Sequence, residues 1–270
     1  MNITFRLETP ADHYTVEAMT REAFWQFWEP DSSELRTVCD EHLLVTKLRT
    51  CQSLVPELNF VAEVDGELAG HIIFTKSRIE NNGDETHETL TFGPLTVLPK
   101  FQCQGVGKAL MRHAFDEAVR LGFRAVIIYG NPDYYPRFGF RRAAEFGITT
   151  PEGSVFDALL VYPLYDGALD GISGKYYIDS VYEELTQAEA VEFDKKFSPK
   201  EPHVPTPIDV LLRKLDSASA KAIKKQKFHT LDILKSQSER EIASLSGMTA
   251  EAVEVVRAVM REHGFRWGVR

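Results

Sequence analysis

The chain has little cysteine and no long apolar run. Three cysteines without regular spacing occur among 270 residues, which argues against a disulfide framework and for reduced thiols. No stretch approaches the length of a membrane-spanning helix, and the first residues, MNITFRLETPAD, lack the basic and apolar regions of a secretory signal. We therefore expect a cytoplasmic protein without a membrane partner, long enough for one sizeable domain and a smaller one.

Two common phosphate-binding motifs are also missing. After a predicted strand, Gly105 and Gly107 open an amphipathic helix, but the spacing fits neither the Walker loop nor the three-glycine dinucleotide fingerprint. The first amides of a helix have no internal partner and carry the positive end of its dipole. The turn therefore still predicts a phosphate site, to which Lys108 adds a positive charge. We predict no metal site.

The pattern that remains resembles the acetyl-CoA motif of the GNAT superfamily of N-acetyltransferases. It reads Gln-x-x-Gly-x-Gly from Gln102 to Gly107 and follows a strand that ends in Val97-Leu98-Pro99. The resemblance implies acetyl-CoA as the acyl donor. By position, it implies that pantetheine pairs with the backbones of Leu95, Thr96 and Val97. It also implies that the coenzyme is bound by Gln102 and by a pyrophosphate turn formed by Cys103, Gln104, Gly105, Val106, Gly107 and Lys108.

A second match to the same family begins at Tyr134. The sequence Tyr134-Tyr135-Pro136-Arg137-Phe138-Gly139-Phe140 fits the family pattern aromatic-Tyr-x-x-x-Gly-Phe. The resemblance implies that Tyr135 is the general acid that protonates the leaving thiolate. A phenol with a pKa of about 10 is still protonated at neutral pH and can do so. A purely structural role is the alternative for Tyr135, and it is the expected role of Tyr134, Phe138 and Phe140.

The sequence departs from the family pattern in two places. Some members carry a glutamate as general base on the strand that corresponds to residues 126–129, but no carboxylate occurs there. Water is one alternative, and His71, Glu63 and Glu88 are others. Asn131 stands where many members place an asparagine that contacts the coenzyme, although Gly-Asn and Asn-Pro are also turn dipeptides.

The resemblance covers about residues 1–165 and implies an α/β (α+β) fold with a mixed, splayed central sheet and flanking helices. The residue pattern predicts a strand at Ile3–Leu7, a helix at Tyr14–Phe27, a hairpin over residues 59–75, and strands at Val126–Tyr129 and Val155–Tyr162. We assign residues 1–198 to the acetyltransferase domain, with 166–198 as an extension containing a strand and a helix. Residues 199–227 are read as a proline-rich, then basic linker, and 228–270 as a small all-α domain.

Charge is distributed unevenly along the chain. Residues 1–199 carry 18 basic and 31 acidic side chains, whereas residues 200–270 carry 13 and 9. An acidic catalytic part favours a cationic acceptor, either a small molecule or a peptide amine. We expect an acetyl-CoA-dependent N-acetyltransferase that works by direct attack of the amine. The alternative is a non-catalytic acyl-CoA sensor coupled to the tail.

The tail from Glu239 to Glu262 weakly resembles a helix-turn-helix, with Ala243 and the turn residue Gly247 at suitable positions. From Phe228 to Arg270 the acidic and basic residues are equal in number, six each, so a nucleic-acid partner is possible but not favoured. A helical bundle that packs on the core or on a second subunit, as in a homodimer, is the favoured alternative. A helix-hairpin-helix is a further resemblance, but Thr249 replaces its hairpin glycine.

Overall fold

The computed structural model describes residues 1–25, 39–81, 85–132, 134–200, 205–234, 237 and 239–265. Those from residue 1 to 24 and from 39 to 198 form one compact unit, and those from 199 to 265, together with residue 25, form a second. None of the helices within these ranges has the length and apolar character needed to cross a membrane.

The first unit alternates strands and helices. Its helices are α1 (His13–Phe24), α2 (Glu41–Leu48), α3 (Val106–Arg120) and α4 (Gln187–Asp194). Its strands are β1 (Ile3–Leu7), β2 (Phe60–Val64), β3 (Glu67–Ile72), β4 (Phe74–Glu80), β5 (Thr86–Phe92), β6 (Thr96–Val97), β7 (Ala125–Tyr129), β8 (Arg141–Arg142), β9 (Ile148–Thr149), β10 (Leu159–Pro163) and β11 (Gly174–Tyr177).

The sheet of the first unit divides into two parts. One part has the strand order β1-β2-β3-β6, and the other has the order β8-β10-β7-β5-β4-β11-β9. Strand β5 runs parallel to β7 and pairs with it at Leu90 and Val126, whereas β6 continues the same chain segment but pairs with β3. Pro94 lies between β5 and β6 and has no N–H to donate to a ladder. The chain therefore leaves β7 at this point, and the expected splayed, mixed sheet is confirmed.

Helix α3 covers one face of this divided sheet. Its apolar stripe includes Val106, Leu110 and Ala114, all almost fully buried, and it joins Leu90 and Val126 of the strands in one core cluster. Residues at spacings of three and four on a helix share one face, which explains why the sequence pattern located this helix correctly. The other face of β7 packs in a separate cluster around Ile127 and Tyr176.

The extension from residue 166 onward is part of the same unit. Strand β11 pairs antiparallel with β4, and α4 is joined to α1 by an ion pair. Arg21 donates two hydrogen bonds to Asp194, of 2.6 and 2.8 Å, and one of 3.1 Å to the Ser198 carbonyl. Because both side chains are largely buried, each charge depends on the other for compensation.

The second unit is helical in its described residues. It contains α5 (Asp209–Leu212), α6 (Ser217–Lys225), α7 (Leu231–Leu234), α8 (Glu239–Ala243) and α9 (Ala250–Glu262). Val253, Val256 and Met260 are buried, as the helical pattern predicts. The interval 199–227, read from the sequence as linker, contains two helices, and its Leu211 and Ile223 are buried in the same cluster as α9. The apolar residues of these two short helices are interspersed with charged and polar ones, and the periodic signal is too weak to predict the helices.

The structure corrects several predicted boundaries. The predicted strand over residues 68–75 is interrupted at Ile73, where the chain passes from one part of the sheet to the other. The predicted strand from Val155 begins only at Leu159, and Val155 and Phe156 are exposed in the preceding loop. Helix α1 ends at Phe24, and the end predicted at Phe27 lies outside the described residues.

Candidate active site

The N-terminus of α3 is open for a ligand. Gly105 precedes the helix with a φ of 86°, a conformation that glycine adopts without strain, and no side chain caps the helix. Cys103 also has a positive φ, of 59°, so two residues of the turn lie in the left-handed region. Cys103, Gln104 and Gly105 are exposed, and a Cβ at Gly105 would meet no atom within 4 Å. Among the described residues, no side chain therefore accepts a bond from the first amides of α3.

Two glutamine side chains hold the turn in place. Gln102 Nε2 donates a 2.9 Å hydrogen bond to the Val97 carbonyl, and Gln104 Nε2 donates one of 2.7 Å to the Lys100 carbonyl. The resemblance implies that Gln102 contacts the coenzyme; in the structure its side-chain amide is bonded to the strand. This bond connects the end of β6 to the start of the turn. Lys108 lies in the first turn of α3 and is exposed.

The backbone of β6 presents alternating groups to its two sides. Leu98 N–H donates to the Ala69 carbonyl at 2.8 Å, and Val97 lies opposite Gly70 in the antiparallel ladder. By the alternation of such a ladder, the groups of Thr96 face β3, while those of Leu95 and Val97 face the gap where β6 and β7 separate. This arrangement favours Leu95 and Val97 over Thr96 for backbone pairing with a ligand. The Thr96 hydroxyl is buried, 3.0 Å from the Thr20 hydroxyl.

Tyr135 lies directly against the backbone of Gly130. An ideal Cβ on Gly130 would lie 2.7 Å from Tyr135 Cδ2 and 2.8 Å from Cε2, so only glycine leaves room for the ring here. Gly130 N–H donates to the Ala158 carbonyl at 2.8 Å, which fixes the position of this backbone at the end of β7. Asn131 forms the following turn, because its carbonyl accepts the N–H groups of Tyr134 and Tyr135 at 3.0 and 3.1 Å.

The environment of Tyr135 keeps its phenol protonated. Its ring centroid lies 6.1 Å from that of Phe92 and 5.3 Å from that of Phe140, and Tyr134 packs edge-on at 5.2 Å. Burial raises the pKa of Tyr135 above its ordinary value, and Tyr134 adds to this shift. The hydroxyl group has no hydrogen-bond partner within the part of the chain that the structure describes. The phenol of Tyr135 is therefore protonated at neutral pH.

The structure brings the two sequence motifs together. Leu95, Val97 and Tyr135 all pack against the core cluster that includes Val106. Burial raises the pKa of Tyr134. Arg137 lowers this pKa, and Cys103, which belongs to the turn before α3, raises it, so the turn lies within electrostatic range of Tyr134. The gap between β6 and β7 thus has an uncapped helix N-terminus at one side and Tyr135 at the other.

The candidate bases considered from the sequence are engaged elsewhere. His71 is fully buried, its Nε2 lies 2.8 Å from Asn59 Oδ1, and burial lowers its pKa. Glu63 accepts a 2.8 Å bond from Arg6. Glu88 is paired with a lysine on the neighbouring strand, Lys76, at 3.0 Å.

Sequence reasoning missed the steric role of Gly130. It assigned the residue to a turn, because Gly-Asn-Pro is a turn signal. Its φ is not positive, so the reason for glycine is the close approach of the Tyr135 ring. No local sequence pattern predicts this contact between a ring and the backbone. The sequence offers one indication of it, a glycine that directly follows an apolar strand and precedes the tyrosine by five residues.

The chain is similar to known N-acetyltransferases in sequence. The model of the acetyltransferase (GNAT) family matches residues 18–140. The uncharacterized N-acetyltransferase YhbS of Escherichia coli K12 is 31% identical over 170 residues, which are 63% of this chain and 92% of YhbS. The uncharacterized N-acetyltransferase YjhQ of the same organism is 32% identical over 121 residues, which are 42% of this chain and 66% of YjhQ. The chain thus spans just under two thirds of YjhQ and nearly all of YhbS.

Solved structures agree with this similarity. The crystal structure of the E. coli GNAT protein YhbS in complex with CoA aligns over 69% of this chain and 94% of the YhbS chain, with 26% identity and a TM-score of 0.57. A GNAT acetyltransferase from Brucella melitensis in complex with acetyl-CoA covers 67% and 98%, with 25% identity and a TM-score of 0.50. The chain therefore belongs to the GNAT family of acetyltransferases.

Proposed function

We propose that the chain transfers the acetyl group of acetyl-CoA to a primary amine and that Tyr135 is the general acid. The observation that carries this proposal is the Tyr135 hydroxyl, which is protonated and unpartnered among the described residues at the gap between β6 and β7. Relatives whose structures contain CoA and acetyl-CoA support the choice of acyl donor. The three free cysteines fit a reducing compartment, and we place the protein in the cytoplasm.

The coenzyme would be held mainly by main-chain groups. The amides from Gly105 to Lys108 would bind the pyrophosphate at the N-terminus of α3, assisted by the Lys108 ammonium. The exposed edge of β6 would pair with pantetheine through Leu95 and Val97. The remaining proposed contacts lie at Gln102, Cys103, Gln104 and Asn131. Because backbone groups supply most of these contacts, they are preorganised by the helix and strand that carry them.

The chemistry needs one proton donor on the protein. The neutral amine attacks the thioester carbonyl, a C–N bond forms, the C–S bond breaks, and the electron pair leaves with sulfur. Tyr135 gives its proton to that sulfur and is reprotonated by the proton that the new amide nitrogen loses through water. Water takes the proton of the incoming ammonium in this proposal, because His71, Glu63 and Glu88 are occupied by other partners.

The acceptor is proposed to be a cationic amine. Residues 1–199 have an excess of 13 acidic side chains, which would concentrate cations near the site. This argument holds for small amines and for peptide amines alike.

The substitution Tyr135→Phe tests the proposed function. It keeps the ring against Gly130 and removes only the proton donor. We expect kcat to fall by about 10²-fold, in the range for a general acid, with the Kd for acetyl-CoA within twofold of wild type. Thiol release from acetyl-CoA in the presence of an amine measures kcat, and calorimetry measures the Kd. The proposal is wrong if the variant transfers acetyl groups at the wild-type rate.

A further inference from the structure

The two faces of strand β7 carry different side chains at the end of the strand, beside Tyr135. Ile128 belongs to the core cluster under α3, on the face where the Tyr135 ring covers Gly130. Because successive side chains of a strand alternate, Tyr129 lies on the opposite face, and its ring centroid is 6.0 Å from that of Tyr176. In the proposed function the coenzyme phosphates would be bound at the N-terminus of α3, so an amine would reach the gap from the opposite face.

An exposed pair of aromatic rings occupies this opposite face. Tyr129 is 45% exposed and Phe156 is 53% exposed, and their ring centroids are 6.2 Å apart. The loop before β10 holds Phe156 in position, since its carbonyl accepts the Leu159 N–H at 3.0 Å and Leu159 lies opposite Tyr129 in the ladder. Large aromatic side chains grouped on an exposed surface are typical of a binding surface.

Two carboxylates lie on neighbouring chain segments, Glu152 four residues before Phe156 and Glu183 next to Tyr182. Glu152 is on a tight turn, closed by the 3.0 Å bond from Thr150 N–H to the Ser154 carbonyl. Glu183 follows Tyr182, whose ring covers Gly93 at the end of β5 and whose hydroxyl is 3.1 Å from that of Thr75.

The charges of Glu152 and Glu183 act on Tyr129. Burial raises the pKa of Tyr129, and both carboxylates raise it further. Neither carboxylate forms an ion pair in the described part of the chain, and both are exposed. Hydrogen bonds from its own backbone and from Thr150 lower the pKa of Glu152, with a smaller contribution from Lys175, so it is ionised at neutral pH.

We propose that Tyr129, Phe156, Glu152 and Glu183 form an acceptor subsite that holds the second ammonium group of an aliphatic diamine or polyamine. The proposal rests on the proposed function. The nitrogen that attacks the thioester must be neutral when it reacts, so it gains little from anionic and aromatic groups at that stage. A second ammonium group stays charged throughout, and aromatic faces with nearby carboxylates are the surface that attracts it. The methylene chain between the two nitrogens would pack on the rings.

A comparison of a diamine with a monoamine of the same length tests this subsite. The probes are 1,4-diaminobutane, spermidine and butylamine, and the measured quantity is kcat/KM from thiol release at saturating acetyl-CoA. We expect the wild-type chain to prefer the diamine by at least about tenfold, since one retained ammonium gains charge and ring contacts. In a Glu152→Gln, Glu183→Gln double variant this preference should fall to about twofold, while kcat/KM for butylamine stays unchanged.

Two further variants separate the rings from general surface charge. Phe156→Leu should reduce the preference by about threefold through loss of the aromatic face. Glu192→Gln removes an exposed carboxylate of α4, and it should leave the preference unchanged.

The outcomes distinguish the two proposals. Equal kcat/KM for the diamine and monoamine, or a preference that the double variant retains, overturns the subsite and leaves the proposed function standing. If acetyl-CoA binds but no amine in the panel releases thiol, the subsite is overturned, and the proposed function is decided separately by thiol release with peptide amines.

Discussion

The substitution Gly130→Ala should disable the site without touching a reacting group. The new Cβ would lie 2.7 and 2.8 Å from two carbons of the Tyr135 ring and 2.9 Å from Ile128 Cδ1. Carbon atoms pack at about 3.5–4 Å, so the ring must move by roughly 1 Å. A displacement of this size costs up to about 10²-fold in rate when it moves a positioned group. Overpacking should also lower the free energy of unfolding by about 1–3 kcal/mol.

The assay compares kcat for acetyl transfer with the Kd for acetyl-CoA. We expect Gly130→Ala to lower kcat by about 10- to 100-fold while the Kd changes by less than threefold, because the turn at α3 is unaffected. Gly122→Ala is the matched control: it places the same residue at a φ of 86° in open space, so it costs stability and should leave kcat unchanged.

A double-variant cycle shows whether the effect passes through Tyr135. Once Tyr135→Phe has removed the hydroxyl, moving the ring should have little further effect on kcat, so the two substitutions should be far from additive. An unchanged kcat in Gly130→Ala, or the same loss in the presence and absence of the Tyr135 hydroxyl, would refute the reasoning.

Three further predictions concern other contacts of the first unit. Burial raises the pKa of Glu8, but the interactions with His71 and Arg49 lower it to about 2. Because this folded-state pKa lies below the ordinary value, the ionised Glu8 contributes about 3 kcal/mol to the free energy of unfolding above pH 4.5. The difference in unfolding free energy between wild type and Glu8→Gln should therefore shrink as the pH falls from 4.5 to 2, and a constant difference would contradict this. Gln102→Ala removes the bond to the Val97 carbonyl, worth about 1 kcal/mol, so the Kd for acetyl-CoA should rise about fivefold; an unchanged Kd would show that the bond is dispensable. Because the raised pKa of Tyr135 keeps it protonated, kcat should not fall between pH 8 and 10, whereas a decline in that range would show an acid with an ordinary pKa.

Regular periodicity explains what the sequence predicted well. The stripe of α3 and the apolar run of β7 have strong local patterns, and the Asp65-Gly66 turn between β2 and β3 is a strong hairpin signal. The family motif then located the turn before α3, because backbone chemistry at a helix N-terminus demands glycine at fixed positions. These features depend on residues that are close together in the sequence, so one sequence is enough to predict them.

Features that depend on distant contacts could not be predicted. The break between β5 and β6 follows from a change of partner strand, and the need for glycine at position 130 follows from a ring five residues away. The apparent strand from Val155 had apolar residues, but its ladder with β7 begins only at Leu159, preceded by the single bond from the Gly130 N–H to the Ala158 carbonyl. Helix α6 was hidden by its lysines, since only Ala222 and Ile223 of its second half are buried.

Calorimetric titration with acetyl-CoA and free CoA tests the central claim most directly. The wild-type chain should bind both, because the pyrophosphate that they share would be held by the amides that follow Gly105. A Gly105→Asp, Gly107→Asp variant, which places carboxylates at the turn, should bind neither, while circular dichroism shows that it is folded. A folded variant with wild-type affinity, or a wild-type chain that binds no coenzyme, would contradict the account.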